Sequence, residues 1–251
     1  MPKLIYLGAS SAVPTPEHEN THMAIVGASR LALVDTGHNP LLRLPQAGLA
    51  PLEVSDLILT HFHPDHVSGV ASLLMNSWLM GRTAGLNVYG LEITLERTLK
   101  MMEYYDWDTW PHFYAVNFKV LPAEEMTPVL DCADFSIFAS PVHHMVPNIG
   151  LRVEFKASGK VWAYSCDTEP CSEVVRLGRG ADVLVHEVAG AGLGHTSARQ
   201  AGEIALEAGA RELHLIHYPT WNFDPAPLAA EAARVFSGPV ALAEDFMSLD
   251  Y

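Results

Sequence analysis

Short apolar runs rich in β-branched residues recur along this chain and end at glycine, proline or polar residues. Such runs predict strands, whereas longer stretches with apolar positions every three or four residues predict helices. The predicted strands cover Lys3–Leu7, Met23–Gly27, Leu31–Asp35, Asp56–Thr60, 87–90, Asn117–Leu121, Phe135–Ser140, Lys160–Ser165, Asp182–Glu187, Glu212–His217, Pro239–Ala243 and Phe246–Leu249. The predicted helices cover Pro40–Gln46, Val67–Met80, Leu91–Tyr105, Ala198–Ala208 and Pro225–Phe236. Without repeats, low-complexity segments or a linker, we expect one domain over residues 1–251.

The strand predicted at Asp56–Thr60 leads directly into four potential metal ligands, His61, His63, Asp65 and His66. Because alternate side chains of an extended backbone point the same way, His61 and His63 can reach one metal ion together. A proline then turns the chain and offers Asp65 and His66 to a second point nearby. Neutral imidazoles and a carboxylate suit borderline cations. The alternative is a histidine-rich surface turn, which leaves these side chains without a packing role.

Further polar residues follow the later predicted strands. His143 and His144 are adjacent at a strand end, so the two rings cannot both face the same metal. The other candidates are Asp167, Glu187 and His217 at strand ends and His195 in a glycine-rich loop before a helix. Taken alone, Glu187 can be an ordinary strand-end carboxylate, and His195 can be a loop histidine without a role.

The pattern His-x-His-x-Asp-His after a strand resembles the metallo-β-lactamase superfamily. The segments 7–15 and Asp35–Gly37 resemble the branch of that superfamily that contains the tRNA 3′-processing endoribonucleases (RNase Z) and related phosphodiesterases. The resemblance extends over nearly the whole chain. It implies an α/β fold, a four-layer αββα sandwich with a two-metal site at one edge of the sheets.

The resemblance also implies a role for each candidate. The first metal takes His61, His63 and His144, the second takes Asp65, His66 and His217, and Asp167 and a hydroxide bridge the two. We expect zinc, and manganese or iron suit the same ligands. The expected catalytic residues are Asp65, His195 as the acid for the leaving alkoxide, and Glu187, which orients His195. From its position at a strand end, we expect Asp35 to hold a ligand histidine, with a surface turn as the alternative.

This chain departs from the family pattern at three places. Cys166 stands where the family has a glycine before the aspartate, and Leu151 replaces the usual tyrosine. The tRNA-holding arm of RNase Z is inserted in a region where this chain has only Val153 to Ser165. The missing arm argues against tRNA processing and leaves the metal chemistry intact.

Charge and cysteine content add further limits. The 29 acidic residues outnumber the 15 basic ones, the net charge is −14, and the basic residues form no cluster. We therefore expect a small anionic substrate and consider a long nucleic acid an unlikely partner. The odd number of cysteines, Cys132, Cys166 and Cys171, favours reduced thiols, with Cys166 and Cys171 as either small packing residues or soft ligands. No apolar run is long enough to span a membrane, the N-terminus does not resemble a signal peptide, and we expect a cytoplasmic protein.

Three function classes remain open. We favour a di-metal hydrolase, most simply a di-zinc enzyme, that cleaves a small phosphodiester or cyclic phosphate, with RNase Z activity as the alternative within the branch. The second class is hydrolysis of a carboxyl ester, lactone or β-lactam. The third is a metal-binding protein without hydrolytic activity. The aromatic segment Tyr104–Tyr114 is a core plug, a lid over the site or a dimer contact, and we expect a homodimer on the basis of this segment and the family.

Overall fold

The computed structural model describes all residues from Met1 to Tyr251. Its strands are β1 (Lys3–Gly8), β2 (His22–Val26), β3 (Leu31–Val34), β4 (Asp56–Ile58), β5 (Leu86–Leu91), β6 (Val116–Leu121), β7 (Thr127–Asp131), β8 (Phe135–Val142), β9 (Asn148–Phe155), β10 (Val161–Tyr164), β11 (Val183–Glu187), β12 (Glu212–Ile216), β13 (Val240–Leu242) and β14 (Ser248–Asp250). Its helices are α1 (Pro40–Gln46), α2 (Pro64–Val67), α3 (Val70–Leu79), α4 (Glu92–Glu103), α5 (Ser172–Leu177), α6 (Ala198–Ala208) and α7 (Ala226–Ala232). None of these helices combines the length and apolar character that crossing a membrane requires.

The strands form two seven-stranded mixed sheets. The first has the order β14-β1-β2-β3-β4-β5-β6, and the second has the order β13-β12-β11-β10-β9-β8-β7. Strands β3 to β6 are parallel in the first sheet, as are β10 to β13 in the second. Each sheet therefore has an edge at which several strands end together, the usual position of sites in such sheets.

Both faces of the central strands are buried, which explains why strands such as β1 and β3 are apolar at nearly every position. In β1, Leu4 and Tyr6 belong to the core between the sheets, and the Tyr6 hydroxyl is 2.9 Å from Nδ1 of His214 on β12. Ile5 and Leu7 of the same strand face a second core beneath α1, α3 and α4. Helices α5 to α7 pack on the second sheet. The predicted four-layer αββα sandwich is confirmed.

The predicted helix over Val67–Met80 is interrupted, and Ser68 and Gly69 separate α2 from α3. At this break the amide of Gly69 donates to the carbonyl of Thr36 at 2.7 Å, and the Ser68 hydroxyl donates to the carbonyl of Gly37. The turn after β3 thus occupies the position where a continuous helix would pass. The interruption therefore fixes the turn after β3 against the segment that carries His66.

Two further differences concern elements with weak sequence signals. Strands β7 and β9 and helix α5 are not among the predicted elements, because β7 contains a proline, β9 contains a glycine and two charged residues, and α5 has only six residues. The two last strands join different sheets, which their short sequences do not indicate. Strand β13 joins β12 in the second sheet, whereas β14 joins β1 in the first. Between them Asp245 accepts hydrogen bonds from the amides of Ala9 (3.1 Å) and Glu19 (2.9 Å), which fixes the crossing between the sheets.

The aromatic segment Tyr104–Tyr114 connects α4 to β6 at the edge where β5 and β6 begin. Because β4 runs parallel to these strands, its histidine-bearing end lies at the opposite edge, which excludes the lid interpretation. Trp110 stacks on Trp78 with ring centroids 5.2 Å apart, and both contact the second core. Only Trp107, Trp110, Phe113 and Tyr114 therefore act as a core plug, and the rest of the segment is exposed. A dimer contact through its exposed tyrosines stays a prediction.

The tight packing at Gly69 generates a stability prediction. A Cβ at this position would lie 2.7 Å from the Thr36 carbonyl oxygen and closer still to that of His38. We expect Gly69→Ala to lower the free energy of unfolding by about 1–3 kcal/mol through overpacking, measured by urea denaturation. The matched control is Gly85→Ala, where the nearest atom would be 3.5 Å away. Equal unfolding midpoints for both variants would contradict the proposed packing.

Candidate metal centre

The predicted ligands of the first metal lie together at the edge where β4 and β8 end. His61 is fully buried, and its Nε2 is 3.0 Å from Nδ1 of His63. Nε2 of His144 approaches the same His63 nitrogen at 3.1 Å. Three ring nitrogens from two sheets therefore face one point, as the extended backbone at His61 and His63 predicts.

The predicted ligands of the second metal form an adjoining group. Asp65, His66, Asp167 and His217 each present a donor atom within 4.8 Å of the others. Nε2 of His66 is 3.4 Å from Asp65 Oδ2 and 3.5 Å from Asp167 Oδ2. Nε2 of His217 is 3.2 Å from the same Asp167 oxygen. This group combines imidazole and carboxylate donors, the chemistry that zinc and similar cations prefer.

The carboxylate of Asp167 lies between the two groups. Its Oδ2 is also 4.0 Å from Nε2 of His61 and 4.0 Å from Nε2 of His144. One carboxylate oxygen thus lies within 3.2–4.0 Å of ring nitrogens of both groups, the arrangement expected of the predicted bridging residue. The preceding residue, Cys166, has a left-handed backbone with φ of 53°, so the chain turns sharply at the end of β10 and directs Asp167 inward.

Hydrogen bonds behind the rings set the orientation of their free nitrogens. Nδ1 of His144 donates to the carbonyl of Gly194 at 2.7 Å, and Nδ1 of His66 donates to Asp35 at 2.8 Å. Nδ1 of His217 lies 3.2 Å from the hydroxyl of Thr21. Each ring is thereby held with the lone pair of Nε2 directed into the centre, the arrangement that ligand histidines require. As expected from the sequence, the carboxylate of Asp35 holds one of these histidines, His66.

Two buried atoms of the centre make no hydrogen bond within the chain, Nε2 of His66 and Oδ1 of Asp167. Buried polar atoms without a partner are costly and therefore rare. Metal ions would satisfy both atoms at once. The converging lone pairs and the unpartnered atoms therefore fit the metals that the sequence predicts.

The pKa shifts of the predicted ligand histidines also fit a metal centre. Burial lowers the pKa of His61 well below its usual value, and burial also lowers the pKa of His63 and of His144. These rings are therefore neutral, the form that binds metal. Burial acts in the same direction on His66, but the carboxylates of Asp167 and Asp35 outweigh it and raise its pKa well above the usual value. A cation bound beside His66 would take the place of that proton.

His195 and Glu187 form a hydrogen-bonded pair beside the centre. Nδ1 of His195 is 3.1 Å from Oε1 of Glu187, which is fully buried. Glu187 also accepts from the amides of Thr168 (3.2 Å), Ala189 (2.7 Å) and Thr196 (3.0 Å), so its position is fixed. The bond to Glu187 raises the pKa of His195, and burial raises the pKa of Glu187. A donor nitrogen of His195 lies within 4.8 Å of donors of His144 and Asp167.

Two candidates lie outside the centre. The side chain of His143 is 63% exposed, and its Nε2 lies 3.7 Å from Glu173 instead of facing the ligand groups. Sγ of Cys166 lies 3.8 Å from Nδ1 of His61, on the side of the ring opposite Nε2. This sulfur also lies within 4.8 Å of donor atoms of His61 and His66. Because the His61 nitrogen nearest to it already contacts the Thr60 hydroxyl, Cys166 packs behind the ligands.

Apart from Asp35, the partners that orient the rings are not among the residues predicted from the sequence. Thr60 donates its hydroxyl to Asp35 at 2.7 Å and lies 3.1 Å from Nδ1 of His61. The carbonyl of Gly194 and the hydroxyl of Thr21 come from segments far from the histidines they contact. Only Thr60 has a sequence signal, since it directly precedes His61.

The match to a family of known proteins covers most of the chain. Residues 12–218 match the family described as the beta-lactamase superfamily domain. The chain belongs to this superfamily. With its αββα fold and the predicted ligand pattern, it is a metal-dependent hydrolase, and its resemblance to the RNase Z-like branch is confirmed by its relatives.

Among those relatives is a protein named ribonuclease Z from Methanothermobacter thermautotrophicus, which is 26% identical and aligns over 100% of this chain and 97% of the relative. The metallo-β-lactamase fold protein YhfI from Bacillus subtilis has 23% identity, a TM-score of 0.83 and coverage of 99% and 98%. Human tRNase Z, short form, has 22% identity, a TM-score of 0.77 and coverage of 99% and 98%. The names of these ribonuclease Z proteins run against our expectation that a long nucleic acid is an unlikely partner.

The centre generates a prediction about metal content. We expect protein from zinc-replete cells to retain about two transition metal ions per chain after desalting, measured by elemental analysis. Asp167→Ala removes the carboxylate between both groups and should hold markedly less metal, whereas the exposed Asp108→Ala should match the parent. Parent protein without transition metal, or an Asp167→Ala variant with full content, would contradict this assignment.

Proposed function

We propose that this protein is a metal-dependent phosphodiesterase that cleaves small phosphodiesters or cyclic phosphates. The observation that carries this proposal is the His195–Glu187 pair, in which a buried carboxylate holds an imidazole beside the predicted ligands. Cleavage of a phosphodiester releases an alkoxide that needs a proton, and such a pair can supply it. The same pair has no evident task in a protein that only stores or senses metal.

The predicted ligands divide into two sets of three that share one carboxylate. We infer that two zinc ions would be held by His61, His63 and His144, by Asp65, His66 and His217, and by Asp167 between the sets. When bound, these ions would activate a water molecule and neutralise charge on the phosphoryl oxygens. Asp35, Thr21 and the Gly194 carbonyl would keep the rings oriented throughout.

The proton step follows from the hydrogen bonds of His195. Its Nδ1 is held by Glu187, and its Nε2 makes no hydrogen bond within the chain, which leaves Nε2 free to donate to the leaving oxygen. The buried charge of Glu187 stabilises the protonated ring before donation. The three backbone amides on Glu187 keep the carboxylate in place.

Two features support a small substrate. Strands β9 and β10 are joined by a turn of residues 156–160 only, in the region where the resemblance implies the tRNA-holding arm. The alignment with the Methanothermobacter ribonuclease Z spans 306 positions although this chain has 251 residues. The net charge of −14 disfavours a long polyanion away from the metals.

The second candidate function is tRNA 3′ processing, which the names of the ribonuclease Z relatives favour. A relative named ribonuclease Z that aligns with this chain over nearly its full length is a specific observation in favour of this activity. It would require that the chain bind tRNA without the arm, for example across the predicted homodimer.

A substrate panel separates these candidates. We expect the zinc-loaded protein to hydrolyse bis-nitrophenyl phosphate and a cyclic nucleotide and to leave a precursor tRNA with a 3′ trailer intact, measured at physiological salt with and without chelator. A lactone and nitrocefin test the carboxyl-ester and β-lactam class. Efficient trailer removal with negligible turnover of the small diesters would overturn the proposal in favour of the second candidate.

The role of His195 has its own test. His195→Ala should slow cleavage of a diester with an alkoxide leaving group by about 10²–10⁴-fold while metal content stays unchanged. The loss should be much smaller for bis-nitrophenyl phosphate, because nitrophenolate leaves without a proton. The control is the distant His112→Asn, which retains a residue tolerant of the left-handed backbone there (φ 56°). If His195→Ala instead loses metal, His195 is a ligand.

A further inference from the structure

A second group of metal-ligating side chains lies on the rim of the centre. His143, Cys171 and Glu173 each present one donor atom, and all three donors lie within 4.8 Å of one another. His143 is exposed, whereas Cys171 and Glu173 are half-buried. None of the three belongs to the predicted ligand sets, and the proposed reaction uses none of them.

The spacing within this rim cluster suits a shared cation. Nε2 of His143 and Oε2 of Glu173 are 3.7 Å apart, which is too long for a hydrogen bond. Two nitrogen or oxygen ligands of a tetrahedral zinc ion lie about 3.4 Å apart. The exposed ring of His143 can make the small remaining rotation without disturbing a packed core.

The donor types select a class of metal. A thiolate, an imidazole and a carboxylate together favour zinc or cobalt over magnesium or calcium, and three protein ligands leave one tetrahedral position for water. We propose that His143, Cys171 and Glu173 form a peripheral transition-metal site, separate from the two predicted central ions. One of the three ligands is exposed and the other two are only half-buried, so this site should fill after the more deeply buried central ones.

The surrounding contacts keep the cluster assembled. The amide of Glu169 donates to the carbonyl of His143 at 2.7 Å, and the amide of His143 donates to the hydroxyl of Thr168 at 3.1 Å, which ties the two ligand-bearing segments together. Arg176 binds Oε1 of Glu173 at 2.9 Å. Oε2 is therefore the oxygen left facing His143, apart from a contact of 3.2 Å with the Ser172 hydroxyl.

Sulfur ligation provides a direct test, because the predicted central ligands are nitrogen and oxygen atoms. Cobalt(II) would be added to zinc-loaded, desalted protein, and absorption would be recorded in the near ultraviolet. We expect a sulfur-to-cobalt charge-transfer band that saturates at about one equivalent, as expected for a single three-ligand site. Cys171→Ser should abolish the band, and Glu173→Gln or His143→Gln should raise the cobalt concentration needed to form it by about tenfold or more.

The two other cysteines serve as controls. Cys132→Ser should leave the band unchanged. Cys166→Ser should also leave it unchanged, because the proposed ligand is the sulfur of Cys171 and not the buried thiol behind His61. A band that survives in Cys171→Ser, a band lost in Cys166→Ser, or no band in the parent protein would overturn the proposal. Because the readout is a spectrum, the result does not depend on which substrate the protein cleaves.

Discussion

The centre depends on one buried carboxylate. Asp35 is 1% exposed, and it accepts hydrogen bonds from the amide of Thr60 (2.8 Å), the hydroxyl of Thr60 (2.7 Å) and Nδ1 of His66 (2.8 Å). Because Thr60 in turn contacts Nδ1 of His61, Asp35 orients one predicted ligand of each metal. Loss of any of these bonds would leave a buried charge partly unsatisfied, so the end of β3 and the end of β4 are positioned as a unit.

In the second sheet, the buried carboxylate of Glu187 has the same role. Its carboxylate accepts from amides in the loops after β10 and β11 and from His195, just as Asp35 joins the loops after β3 and β4. Each sheet therefore contributes one buried acid that gathers two loops at the same edge. The donor atoms of the centre come from both sheets, and each acid holds the half that its own sheet contributes.

Much of this arrangement could be predicted from the sequence, and there is a physical reason why the rest could not. The ligands after β4 follow from spacing alone, since alternation fixes the direction of His61 and His63. His144, Asp167 and His217 needed the family resemblance, because each stands alone after its strand. Gly194 could not be predicted, since it contributes only a backbone carbonyl to His144. The sheet that each of β13 and β14 joins could not be predicted either, because each strand has only three residues.

Three of the eight non-glycine residues with a left-handed backbone lie at the same edge. Asp35, Cys166 and His217 have φ values of 60°, 53° and 56°. Each lies one or two residues after the end of a strand that leads into the centre. A left-handed conformation costs a residue other than glycine about 1–2 kcal/mol, so it persists only where other contacts offset it. The bonds of Asp35 do so, and the amide of His217 donates to the carbonyl of Ala9 at 2.8 Å. At Cys166, where the family has glycine, the buried side chain fills the space behind His61, so the strained residue supports the ring that it packs against.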